Sequence, residues 1–163
     1  MAAAFSITRG YAPGAIGRVV EMHGSYYASE WGFGPQFEAE VAAELAEFIG
    51  RYDAARDGFW LAWQEDRIVA SLTLDHAGDD GAARVRWFVA EPDMQGSGVG
   101  GALFGESLAF AKATGQHRIY LWTFDGLTAA RRLYDRAGFV LTEECEEDDW
   151  GPVIKAQKME RIG

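Results

Sequence analysis

A chain of 163 residues with 48% hydrophobic and 25% charged side chains has the composition of one ordinary folded domain, neither disordered nor fibrous. Its net charge of −10, from 25 acidic against 15 basic residues, argues against broad binding along a phosphate backbone, which needs clustered Lys and Arg. The single cysteine, Cys145, excludes an internal disulfide and the usual cysteine-rich zinc sites, and no apolar run is long enough to span a membrane.

The first residues carry no basic segment followed by a long apolar one, so no secretory leader is expected and a cytoplasmic setting is the simplest reading. Phe5–Arg9 alternates apolar and polar residues, as a short strand does. Pro13 suits a helix start, and Ile16, Val19, Val20, His23, Tyr26 and Tyr27 recur at helical spacing, predicting an amphipathic helix over 14–29. Glu30–Gly34 (EWGFG) breaks it. Phe37, Val41, Leu45, Phe48 and Ile49 mark a second helix, closed by Gly50.

The period then changes. Phe59–Gln64 and Arg67–Leu74, rich in aromatic and β-branched residues and joined by Glu65 and Asp66, predict an antiparallel hairpin. Gly78–Gly81 is a turn, Arg84–Ala90 a strand, and Pro92 its end, since proline cannot donate to the ladder. Leu103, Phe104, Leu108 and Ala111 mark a helix that Gly115 stops. His117–Thr123 reads as a strand, 128–137 as a helix ended by Gly138, Phe139–Thr142 as a strand and Val153–Met159 as its partner. The acidic run Glu143–Asp149 (EECEEDD) reads as a solvated loop in or beside that last pair. The order β-α-α-β-β-β-α-β-α-β-β gives an α+β fold, an α/β sandwich with helices on both faces of one mixed sheet, and one domain is expected over 1–163.

Between the strand ending at Ala90 and the next helix lies Met94–Phe104 (MQGSGVGGALF). A glycine inside a helix costs roughly 1 kcal/mol relative to alanine, so this cluster needs a reason. A glycine turn at a helix start puts unpaired N–H groups and the positive end of the helix dipole at one point, which attracts a phosphate. No lysine follows the last glycine, which excludes the nucleotide-triphosphate loop, and the preceding strands do not suit the dinucleotide fingerprint.

Read with its neighbours, Val89–Gly101 (VAEPDMQGSGVGG) resembles motif A of the GNAT acetyltransferases, in which Q/R-x-x-G-x-G/A follows a strand and a proline. Ala129–Phe139 (AARRLYDRAGF) is similar to that superfamily's second signature, a helix carrying tyrosine and ending in Gly-Phe. Trp122–Tyr134 and Tyr26–Gly32 resemble a narrower bacterial group often fused behind a MarR-type winged helix. No winged helix precedes Phe5, so a regulatory role is expected to need a separate protein.

The resemblance implies an acetyl-CoA-dependent N-acetyltransferase with a GNAT-like fold and no metal. Gln95 would open the phosphate loop, the N–H groups of Gly96, Ser97, Gly98, Val99, Gly100 and Gly101 would hold the pyrophosphate, and Ser97 would add its hydroxyl. Phe88, Val89 and Ala90 would pair with the pantetheine arm, one N–H polarising the thioester carbonyl. The acceptor would attack directly in a ternary complex, leaving Cys145 a bystander. Tyr134 matches the tyrosine that serves the departing thiolate, although Ala130, Leu133, Tyr134 and Ala137 share one helical face and a core role stays open.

Two positions depart from the family pattern. Leu127 stands where many relatives carry asparagine, and Trp122 where several carry the glutamate base. Glu21, His23, Glu30, Asp125 and His76 are replacement candidates, as is a water chain. Tyr26, Tyr27, Trp31, Phe33, Trp60 and Trp63 form an aromatic set suited to a cationic acceptor. The expected acceptor is a primary amine of a small molecule. A protein lysine or N-terminal amine, a non-catalytic acyl-CoA sensor and a homodimer stay open; nucleic acid and membrane are not expected as partners.

Overall fold

The computed structural model describes residues 4–163, so the leader reading of the first three residues lies outside it. The elements are β1 (Ser6–Arg9), α1 (Ala15–Trp31), α2 (Pro35–Gly50), β2 (Gly58–Gln64), β3 (Arg67–Asp75), β4 (Ala83–Ala90), α3 (Val99–Ala113), β5 (Arg118–Phe124), α4 (Thr128–Arg136), β6 (Val140–Glu147) and β7 (Ile154–Ile162). Their order is the one the changing hydrophobic period predicts.

One seven-stranded sheet runs β1-β2-β3-β4-β5-β7-β6. Every neighbouring pair is antiparallel except β4 and β5, whose parallel connection needs the long crossover through α3. That parallel pairing covers only Ala83–Val85 against Ile119–Leu121. Beyond these rungs the two strands part.

Each face of the sheet buries its own core. Leu72, Leu74, Val85, Met94, Leu103, Phe104, Leu121, Tyr134 and Met159 pack on the α3 side. Val19, Phe37, Leu45, Phe48, Phe59, Leu61, Trp87, Val89 and Phe124 pack on the α1–α2 side. Along β4 the alternation shifts sides in mid-strand, because a bulge sits there. Val89 faces Ser71 and Arg86 faces Thr73, which leaves one residue extra on β4. Trp87 takes a φ of 46°, a conformation that costs a bulky residue about 1–3 kcal/mol. The buried Ser71 hydroxyl donates to the Trp87 carbonyl at 2.9 Å and Thr73 to that of Arg86 at 3.0 Å, which pins the distorted carbonyls.

Three boundaries differ from the sequence reading. Helix α1 continues through Glu30 to Trp31 and stops only where Gly32, at φ 73°, donates back to the Ala28 carbonyl. Gly50 is the last residue of α2, and the chain turns at Arg51. Most of the acidic run is strand, since Glu143–Glu147 lies in β6 on the sheet edge. Glu143 stands opposite Lys158 and Glu146 opposite Lys155, so cross-strand charge pairing suits an edge strand that burial alone does not require.

Candidate active site

The parting of β4 and β5 opens a cleft of about 1080 Å³. It is lined from both faces of the sheet, by Phe88, Ala90, Gly101 and Tyr134 on the α3 side and by Trp87, Val89 and Phe124 on the other. The cleft therefore passes through the sheet and joins two chambers.

The glycine loop forms one wall. Gly96 and Gly98 have φ of 81° and 89°, and a Cβ on either would project into open space. Side chains rarely tolerate this backbone, and here it turns the chain so that amides lead into α3. Ser97 is used inside the loop: its hydroxyl donates to the Met94 carbonyl and accepts the Val99 N–H at 3.2 Å. Among the described residues the N–H groups of Gly96, Gly98, Gly100 and Gly101 have no partner. Unpaired amides at the positive end of a fifteen-residue helix, with no side chain over them, suit a pyrophosphate. Gln95, Gly96, Gly98, Val99, Gly100 and Gly101 line the cleft and Ser97 does not.

Tyr134 reaches the same cleft from α4. Its ring packs 5.4 Å from Phe104 and 6.5 Å from Phe88, so the core role and the cleft role coexist. Burial, and then the nearby Tyr27 phenol, push the Tyr134 hydroxyl above the usual tyrosine range. It stays protonated at neutral pH where it lines the cleft.

The candidate bases separate by position. Glu21 is exposed and paired with Arg18. His76 lies elsewhere, its Nδ1 2.6 Å from Asp57. Although Asp57, Asp75 and His76 bring ligand atoms within 4.8 Å of one another, the carboxylates are taken by Arg51, Arg86, His76 and backbone amides. Asp125 borders a smaller cavity with Glu146 and Lys155. Glu30 lies exposed at the cleft rim. Only His23 is buried in the wall, with Nδ1 donating to the Val19 carbonyl at 2.8 Å and Nε2 left as an acceptor.

Burial lowers the His23 pKa to about 4, partly offset by the Val19 hydrogen bond. Because the folded state resists the proton that the unfolded chain takes near 6.5, its stability is complete above that pH and falls as pH drops toward 4. The loss should reach about 3 kcal/mol from this residue alone. Denaturation midpoints of wild type and His23→Leu across pH 4–7 should show wild type losing stability relative to the variant as pH falls, by about that amount at pH 4; a difference constant with pH would refute the reading.

Aromatic residues gather on the α1–α2 side, but not the predicted set. Tyr27 stacks on Phe33 at 5.6 Å, Trp31 meets Phe124 at 4.8 Å, and Trp150 meets Phe37 at 4.9 Å. Trp60 and Trp63 do not line the cleft: Trp60 packs on Phe110 of α3, and Trp63, although it packs on the α1–α2 side, lies out at β1, where it donates to Thr8. Neighbours on a strand face opposite sides of the sheet, so sequence proximity does not gather them. Trp150, which the sequence reading passed over, belongs to the β6–β7 loop; its carbonyl accepts from Gly34 at 2.9 Å and its indole donates to Glu40 at 2.6 Å. The loop is thereby tied to the α1–α2 turn along one side of the cleft. Glu30, Glu40, Glu44, Glu147 and Asp149 line the same chamber.

The model of the acetyltransferase (GNAT) family matches residues 18–139. Over 98 residues the chain is 37% identical to the mycothiol acetyltransferase of Geodermatophilus obscurus, a match that covers 57% of this chain and 31% of that protein, under a third of its length. The acetyltransferase of the GNAT family from Staphylococcus aureus Mu50 superposes with a TM-score of 0.77 at 19% identity, covering 98% of this chain and 99% of that one. YncA from Salmonella typhimurium, solved with its cofactor acetyl-CoA, gives 0.71 at 14% identity over 96% and 94% of the two chains. At these identities the structural likeness speaks for the fold alone. Among the described residues no helix is long and apolar enough to cross a membrane.

Proposed function

This chain belongs to the GNAT acetyltransferase family, whose co-substrate is acetyl-CoA, and from that premise we propose that it acetylates a primary amine of a small molecule by direct attack in a ternary complex. The observation that carries this reading is the continuity of the cleft, with the unpaired loop amides and Tyr134 on one side and an aromatic, acid-rimmed chamber on the other. Residues 1–163 act in this reading as one catalytic domain.

Acetyl-CoA, when bound, supplies an acyl group already activated as a thioester. The amides of Gly96, Gly98, Gly100 and Gly101 hold its pyrophosphate, and Gln95 opens the loop. Past Val85 the edge of β4 that faces β5 has lost its partner strand, so main-chain groups of Phe88, Val89 and Ala90 are available to the pantetheine arm. An N–H at the bulge stabilises the negative charge developing on the carbonyl oxygen. Tyr134, held protonated by burial, donates to the thiolate as it leaves. His23 Nε2 accepts a proton or hydrogen bond from the amine, the role that Trp122 cannot fill. Its neutral form prevails near pH 7 because burial disfavours the charge.

The Trp150 loop, tied to Gly34 and Glu40 beside the cleft, narrows the approach and so favours a small acceptor over a lysine on a folded protein. A thiol-release assay with acetyl-CoA and a panel of amines, amino acids and peptides tests the proposal. Turnover with small amines is expected, and turnover confined to peptides, or none with any amine, would reject it. An amine arrives mostly as ammonium, and the acidic rim attracts it. Its kcat/KM should therefore fall with ionic strength, since charges are screened over about 10 Å at 0.1 M salt. A salt-independent value would leave the rim without a role in capture.

A further inference from the structure

One buried polar atom among the described side chains lacks a hydrogen-bond partner, the Nε of Arg84. Arg84 lines the cleft, and among the described residues no carboxylate forms an ion pair with its guanidinium. Its neighbours are committed elsewhere. Asp75, directly opposite on β3, is held by both guanidinium nitrogens of Arg51 at 2.9 and 2.8 Å, by Arg86 at 3.4 Å and by the Ala77 N–H at 3.0 Å. Glu44 is taken by Arg86 at 2.7 Å. What remains to Arg84 is the Tyr120 ring, with the guanidinium 5.9 Å from its centroid. Lys158 approaches the same ring to 4.7 Å from β7. Two cations thus flank one aromatic ring in a protein of net charge −10.

A half-buried cation without a counter-charge is costly, and a planar guanidinium is shaped to receive a carboxylate through two parallel hydrogen bonds. Burial, and then the adjacent Arg86, disfavour the charge on Arg84; Tyr120, Glu44 and Asp79 offset this in part through their fields, but neither carboxylate forms an ion pair with it. The co-substrate's phosphates are not that anion. They belong to the loop beyond the end of β4 at Ala90, six residues and about 20 Å of strand from Arg84. Arg84 sits instead near the closed end of the cleft, about 10 Å of strand from the bulge at Trp87 and Phe88.

We propose that Arg84 binds a carboxylate of the acceptor, so that the substrate carries both an amine and a carboxylate separated by several atoms. The inference rests on the acetyltransferase reading above and names the acceptor class for that site. The acidic rim then draws in the ammonium end, and Arg84 fixes the other end so that the amine lies at the bulge.

Two measurements test it. In the first, ω-aminocarboxylates with one to six methylenes are compared with alkylamines of the same length. At least one member should exceed its alkylamine partner in kcat/KM by tenfold or more. Arg84→Met should erase that advantage while holding alkylamine rates within about twofold, and Arg84→Lys should retain part of it. In the second, which needs no turnover, tryptophan fluorescence follows titration with hexanoate and with hexanol, since Trp87 and Trp122 line the cleft near Arg84. Hexanoate should give a saturable change in wild type that Arg84→Met lacks, and hexanol should not distinguish the two proteins. Absent turnover with intact hexanoate binding would reject the acetyltransferase reading and keep the anion site. No carboxylate advantage, or one that survives Arg84→Met, would overturn the proposal. So would a Tm for Arg84→Met well below wild type, because removing an unpaired buried charge should leave stability equal or higher.

Discussion

Gly98→Val is expected to leave a folded protein whose melting temperature no longer responds to acetyl-CoA. In the wild type, ligand at a hundredfold excess over its dissociation constant should add about 2.7 kcal/mol of stability. For a domain of this size that is a rise of about 5–10 °C. Two effects remove it in the variant. Gly98 has a φ of 89°, so valine strains the turn that presents the α3 amides. No protein atom lies within 4 Å of the new Cβ, so the side chain occupies the space in front of those amides rather than colliding with the core. The fold should therefore survive while the anion site does not. Gly105→Ala is the matched control, because that position lies within α3, has an ordinary φ and is also open. It should be neutral or slightly stabilising and should keep the full ligand response. A Gly98→Val protein that still gains stability from acetyl-CoA would remove the loop from cofactor binding.

The elements were legible in the chain because each switch of period coincides with a change of element, from the helical stripe Phe37–Phe48 to the β-rich Phe59–Leu74 and back at Leu103. The glycine loop and Tyr134 were legible too, since a turn with positive φ can be written in glycine and a motif needs no tertiary knowledge. Pairing was not. That β7 inserts between β5 and β6 depends on long-range contacts with no local signature, and the bulge at Trp87 arises from a mismatch between two strands. The acidic strand was misread for a related reason: its partners Lys155 and Lys158 lie beyond the turn, and a run of carboxylates read alone resembles a loop. Sequence neighbourhood sets Trp60 beside the cleft aromatics, whereas the side of the sheet it faces decides its place. His23 and Arg84 were visible as residue types only. What distinguishes them is burial beside an open cleft, with one ring nitrogen anchored in His23 and, among the described residues, no hydrogen-bond partner for the Arg84 Nε.

Tyr134→Phe is expected to lower kcat by tenfold to a hundredfold while leaving acetyl-CoA affinity nearly intact. The phenol acts on charge that develops only as the carbon–sulfur bond breaks, so its loss belongs to turnover and not to ground-state binding. General-acid assistance is typically worth about 10²–10⁴-fold, and a thiolate leaves readily near neutral pH, which places the effect at or below the low end of that range. Burial holds the phenol protonated and therefore ready to donate across the neutral range, so the deficit should be nearly constant with pH there. Packing should change little, because the variant keeps the ring that meets Phe104, Phe88 and Phe139. An equal Tm beside a reduced kcat would therefore separate chemistry from folding. Full activity in Tyr134→Phe would make the residue a core aromatic whose hydroxyl merely reaches the cleft. The leaving thiolate would then depart unaided or take its proton from water.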